Sequence, residues 1–252
     1  MFICGIASIS FRSLSAEEVI EAAAEAGLGC IEWGSDVHVP AGDLSRAAVV
    51  AALTRARGLE CSSYGTYFRL GVNRPYEFKA YLDTAQVLGV DTIRIWGFDK
   101  GSREIDPAVW QTLVAEAREI CDMAAPHGVS VSLECHRGTL TDEYTATLAF
   151  LEEVARDNLH TYWQPRQDRD FAYNMTAAEE LAHLTTNVHV FHWIGKDKLP
   201  LSEGREAWFD YLGAFLDRKK HHLLLEFMPD GKVESLPAEA ATLRRLALDV
   251  RA

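Results

Sequence analysis

The feature that most constrains this chain is an eightfold alternation of short apolar runs with longer amphipathic stretches. The runs Phe2–Ala7, Cys30–Trp33, Leu59–Tyr64, Thr92–Trp96, Val129–Glu134, Leu159–Trp163, Val188–His192 and Leu223–Phe227 have the length and β-branched or aliphatic content of strands covered on both faces. The segments between them carry helix punctuation. Ser15, with Glu18 three residues on, makes a capping box for Ser15–Ala26, and Gly27 follows as a stop. Asp43 caps Leu44–Arg57 ahead of Gly58, and Arg74–Leu88 ends at Gly89. Asp106 caps Pro107–His127, where Pro107 suits the first turn and Gly128 ends the helix. Thr141–Ala155, Thr176–Leu184, Gly204–Leu216 and Leu236–Val250 complete the set.

Eight strand–helix units in 252 residues average about 31 residues each, the spacing of an α/β barrel. The expected fold is a single (β/α)8 TIM barrel, one domain over residues 1–252. A doubly wound open sheet would carry a Gly-rich turn after its first strand. Ser8-Ile9-Ser10-Phe11-Arg12 stands there instead.

The net charge of -12, from 25 basic and 37 acidic residues, argues against a nucleic-acid or anionic-membrane partner, which needs a basic surface. No run reaches the ~18 apolar residues of a membrane span, and Met1–Gly5 lacks the basic start of a signal peptide. The five cysteines form an odd set with no zinc-ribbon spacing. Several lie in apolar runs, where cysteine acts as a small hydrophobe. The expectation is a reduced, cytoplasmic protein.

Chemistry in such barrels sits at the carboxyl ends of the strands. Read in order, those ends bear Glu32 and Trp33, followed by Asp36 and His38; then Tyr64; Arg94 and Trp96; Glu134 and His136; Trp163 and Gln164; His189, His192 and Trp193; and Glu226. A carboxylate ending a buried strand is costly unless a cation or substrate meets it. Arg94 is an internal candidate for that partner. Carboxylates and a histidine from separate strands are also what a divalent metal needs. Trp33, Tyr64, Trp96, Trp163 and Trp193 provide flat surfaces that suit the C–H faces of a carbohydrate. Glu32, His38, Arg94, Trp96, His136 and His192 are the candidate substrate-binding residues.

The order of these features resembles the xylose isomerase-like barrels of the sugar phosphate isomerase/epimerase group. The likeness rests on Gly5–Arg12, Ala26–Gly34, Glu134 with His136 two residues later, His189-Val190-Phe191-His192-Trp193, and Leu223–Phe227. It spans nearly the whole chain. The resemblance implies one divalent metal ion (Mn, Zn, Mg or Co) held by Glu134, Gln164, His189 and Glu226. Gln164 departs from the pattern, because relatives place an aspartate there. Its carbonyl oxygen can still face a metal but brings no charge. Carried over from the group's ketose 3-epimerases, Glu134 and Glu226 become the acid and base. They would act beside a sugar carbonyl through a metal-stabilised enediolate.

The resemblance thus points to an isomerase or epimerase on a small carbohydrate, free or phosphorylated. A lyase, such as an inosose dehydratase or an enzyme eliminating from a 3-oxo-glycoside, shares the first step. A metal-free sugar-binding barrel is the reading that Gln164 motivates. The group's endonuclease IV adds histidines at strands three and four, where this chain has Tyr64 and Trp96. Relatives are often dimers or tetramers, so a homo-oligomer is compatible with the resemblance. Lys196, Lys198 and Arg205 offer a phosphate contact or a solvated loop. The loop 165–171 reads as a lid or plain surface.

Overall fold

A computed structural model describes residues 1–217 and 219–251. Eight parallel strands close into a barrel: β1 (Phe2–Ala7), β2 (Cys30–Gly34), β3 (Glu60–Arg69), β4 (Thr92–Trp96), β5 (Ser130–Glu134), β6 (Leu159–Trp163), β7 (Thr185–Val190) and β10 (His221–Leu225). β1 pairs with both β2 and β10, so no edge is left open. Two short strands, β8 (His192–Ile194) and β9 (Asp197–Leu199), form an antiparallel hairpin after β7.

The outer helices are α1 (Ala16–Glu25), α2 (Leu44–Ala56), α3 (Phe78–Leu88), α4 (Pro107–Ala124), α5 (Tyr144–Val154), α6 (Phe171–Leu181), α7 (Arg205–Ala214) and α8 (Leu236–Asp249). The capping box of Ser15 with Glu18 is formed, and Asp43 and Asp106 each accept a backbone N–H at their helix starts. Gly89 ends α3 in the left-handed conformation expected of it, with φ of 77°. The sixth helix starts earlier than Thr176. Asp170 accepts from the Tyr173 N–H and caps it from Phe171.

Alternation along the strands divides two cores. Outward side chains such as Ile31, Trp33, Ile93, Ile95, Val131, Leu133, Val188 and Val190 join the layer under the helices. Inside the barrel, Cys30, Tyr162 and Leu224 pack as a small apolar plug with Ile3 against it. The polar residues Glu32, Arg94, Glu134 and His189 lie further along the same inward rows, toward the carboxyl ends.

Candidate active site

Four strands deliver a buried charged cluster. Arg94 of β4 donates through Nη1 to Glu134 Oε2 of β5, and its Nε lies 3.5 Å from Glu32 Oε1 of β2. All three are 2 to 3% exposed, so each charge depends on the others for compensation. Ser63 of β3 donates to Glu32 Oε2 at 3.1 Å. Gly65 makes the crossing fit. A Cβ there would lie 2.6 Å from Glu32 Oε1 and 3.0 Å from Arg94 Nη2.

His189 of β7 sits at the centre. Its Nδ1 lies 3.2 Å from Gln164 Oε1, 3.5 Å from Glu134 Oε1 and 3.6 Å from Glu226 Oε2. Glu226 follows β10, and its N–H donates to the Val190 carbonyl at 3.0 Å. Gln164 Nε2 donates to the Cys135 carbonyl at 2.9 Å, which turns Oε1 toward His189. Glu134, His189 and Glu226 offer ligand atoms that all lie within 4.8 Å of one another.

This donor set fits a divalent cation. Separations of 3.2 to 3.6 Å about Nδ1 are those of atoms sharing an ion at ~2.0–2.2 Å. His189 Nε2 has no hydrogen-bond partner among the described residues and faces Glu32 Oε1 at 3.5 Å. A carboxylate behind the far nitrogen is the usual orienting partner of a ligating histidine. With Glu32, Glu134 and Glu226 ionised, the single Arg94 cation leaves two negative charges in the cluster, which match a divalent ion.

The electrostatics of the cluster follow its geometry. Burial raises the Glu134 carboxyl, but Arg94 and then His189 outweigh it and bring it to about 2. Burial lowers the His189 imidazole, yet Glu226, Glu134 and Glu32 together raise it to about 10. Glu226 is pushed up by burial, only partly offset by His189.

Of the residues expected to contact substrate, Glu32 and Arg94 belong to this buried cluster. Trp96 and His136 stand half-buried at the rim, ring centroids 4.6 Å apart. The Trp96 Nε1 and Trp193 Nε1 donors are buried without an acceptor among the described residues. His192 is half-buried on β8, where a Cβ on Gly204 would meet its Nδ1 at 2.4 Å. His38 is not brought to the cluster. Its Nε2 meets the Leu14 carbonyl at 3.1 Å and its ring edges onto Trp33.

The expected ring of aromatics is corrected in part. Trp33, Tyr64 and Trp163 are at most 1% exposed and join the outer core. Glu32 and Gln164 take the inward positions, so the tryptophans beside them face the helices. Trp163 packs there on Trp208, Tyr211 and Phe215. The loop after β6 is tied down: Arg166 pairs with Asp168 and Glu143, and Arg169 with Glu143. Arg205 pairs with Asp249, while Lys198 lies over the rings of Trp193 and Phe227. Phe227 itself has φ of 59°, an uncommon conformation for an aromatic residue, directly after Glu226.

Residues 20–246 match the family described as xylose isomerase-like TIM barrel. The chain belongs to that family. A curated relative, 3-dehydroshikimate dehydratase of Bacillus anthracis, is 27% identical over 165 residues. That match spans 61% of this chain and 58% of the relative's length. Many solved structures share the fold, three of which illustrate it. The first is the probable 3-DHS dehydratase involved in petrobactin synthesis from Bacillus anthracis. It has a TM-score of 0.80 at 21% identity, over 97% of this chain and 99% of that one. An L-ribulose 3-epimerase gives 0.74 at 16%, over 100% and 96%. A xylose isomerase-like barrel of Mycobacterium smegmatis, solved in complex with magnesium, gives 0.76 at 14%, over 99% and 98%. Among the described residues of this family member, no helix is long and apolar enough to cross a membrane.

Proposed function

We propose that this chain is a divalent-metal-dependent lyase of the dehydratase type. It would abstract the proton next to a carbonyl of a small, carbohydrate-like substrate and expel a β-oxygen. The observation that carries this reading is the inequality of the two strand-end carboxylates. Glu134 is held by Arg94 and also receives Gln164 Nε2 at 3.4 Å. No hydrogen bond reaches the Glu226 carboxylate among the described residues, although it is buried. A carboxylate without donors in a desolvated site is the stronger base.

Two-faced proton exchange needs two comparable acid–base groups. Elimination needs one base and a separate acid for the leaving oxygen. Glu226 takes the proton from carbon, the electron pair forms the C=C bond, and the C–O bond breaks. His136, whose Nδ1 donates to the Arg137 carbonyl at 2.8 Å, delivers a proton from Nε2 so that water leaves. A bound ion, held by Glu134, Gln164, His189 and Glu226, supplies Lewis-acid polarisation of the carbonyl. The similarity to the Bacillus anthracis dehydratase and the magnesium in a barrel of the same fold support the reading.

Epimerisation or isomerisation is the second reading. It rests on Glu134 and Glu226 approaching His189 Nδ1 from different strands at nearly equal distance. Mass analysis of products separates the two. Chelator-treated protein reloaded with Mn²⁺ is incubated with 3-dehydroshikimate, and separately with ketoses and ketose phosphates. Elimination predicts a metal-dependent product lighter by one water, abolished in Glu226→Gln. A product that keeps the substrate mass supports the second reading and contradicts the first.

A further inference from the structure

The N-terminal end of the barrel, opposite the carboxylate cluster, holds a second group of donor side chains. Cys30 of β2, Glu60 of β3 and His222 of β10 each offer an atom within 4.8 Å of the others. Cys30 and His222 are buried and Glu60 is half-buried. A cavity of about 670 Å³ opens beside them, with Glu60 and His222 in its wall.

The hydrogen bonds of His222 aim its Nε2 at Glu60. Asn187 Nδ2 donates to the Tyr162 hydroxyl at 2.7 Å, which leaves Asn187 Oδ1 facing His222 Nδ1 at 2.9 Å. The amide oxygen only accepts, so Nδ1 carries the hydrogen. The neutral ring then has its lone pair on Nε2, and Nε2 faces Glu60 Oε1 at 2.7 Å. A separation of 2.7 Å is that of a hydrogen bond, so a proton bridges the pair, and an ion that replaced it would part the two atoms to ~3.2 Å. The third donor, Cys30 Sγ, has its space made by Gly5, where a Cβ would lie 2.3 Å from the sulfur.

We propose that Cys30, Glu60 and His222 form a structural site for a thiophilic divalent cation of the zinc class. Asn187 orients the histidine, as a carbonyl behind a ligating imidazole does. Water from the cavity completes four ligands. As the ion binds, the Cys30 thiol proton and the proton bridging His222 and Glu60 both leave to solvent, and no redox change occurs. Lys220, whose Nζ lies 2.9 Å from Glu60 Oε1, is partly exposed and gives way to the ion. The bound cation staples β2, β3 and β10 at the end of the barrel that serves stability rather than chemistry.

Cobalt(II) chloride added to metal-free protein tests the site. A thiolate-to-cobalt charge-transfer absorption is expected, with an intensity at saturation that corresponds to one sulfur-bound ion per chain. It should disappear in Cys30→Ser and persist in Cys61→Ser and Cys135→Ser. Glu60→Gln, at a half-exposed position, should weaken cobalt binding at least tenfold without unfolding the chain. Circular dichroism confirms that each variant is folded. The candidate active-site donors include no sulfur, so this signal is independent of that site. An absent band at saturating cobalt, or a band that survives Cys30→Ser, would overturn the proposal. The bridge between His222 and Glu60 would then stay a proton.

Discussion

Arg94 reaches across β4 and β5 to donate to Glu134, and its other side faces Glu32. One buried cation therefore compensates two buried carboxylates. Arg94→Met removes it and leaves two like charges without water. Breaking a buried pair in this way costs about 3–5 kcal/mol. Denaturant melts of the variant check the figure; unchanged stability would show that the pair is not the support described here.

Glu226→Gln and Glu134→Gln are predicted to differ. The first removes the proposed base and should lower kcat by roughly 10²–10⁴-fold with a nearly unchanged melting temperature. The second also leaves Arg94 short of a partner, so activity and stability should fall together. Steady-state kinetics beside thermal melts separate the two. Equal melting temperatures for both variants would contradict the asymmetry.

Gln164→Asp adds a third negative charge where Gln164 Oε1 now faces His189. Affinity for Mn²⁺ should rise by about tenfold, since hard cations respond to ligand charge. Calorimetric titration reads this directly. Unchanged affinity removes residue 164 from the ligand set.

The metal-free protein should lose stability at both ends of the pH scale. Glu134 sits at about 2, below its ordinary 4.5. Its contribution is complete above 4.5 and lost as pH falls toward 2. His189 sits at about 10, above its ordinary 6.5. Its contribution is complete below 6.5 and lost as pH rises through 10. Melting temperatures in chelator should fall from pH 6.5 toward 10. Mn²⁺ should reverse that alkaline loss, because His189 gives up a proton on binding the ion. A flat alkaline limb in chelator would contradict the central position of His189.

Much of the barrel was legible because each buried strand leaves a continuous apolar run and most helices carry local caps. The sixth helix was misplaced because the stretch after its Asp170 cap, Phe171–Met175, mixes apolar and polar residues without a clear helical stripe. The β8–β9 hairpin was missed because His192-Trp193-Ile194 reads as a continuation of β7. The convergence of Glu134, His189 and Glu226 was readable, each closing or following a run. Trp33 and Trp163 were misread because the one-residue alternation that turns Glu32 and Gln164 inward turns them outward. The Cys30, Glu60 and His222 group left no local signal; Glu60 and His222 meet across 162 positions of sequence.

The most direct measurement is a calorimetric titration of Mn²⁺ into chelator-treated Cys30→Ser protein, which isolates the carboxylate cluster from the sulfur-containing group. The account predicts one ion per chain, with binding lost in the added His189→Ala substitution and weakened in Glu226→Gln. No binding in the parent protein, or binding unchanged by both substitutions, would contradict a metal centre at these strand ends.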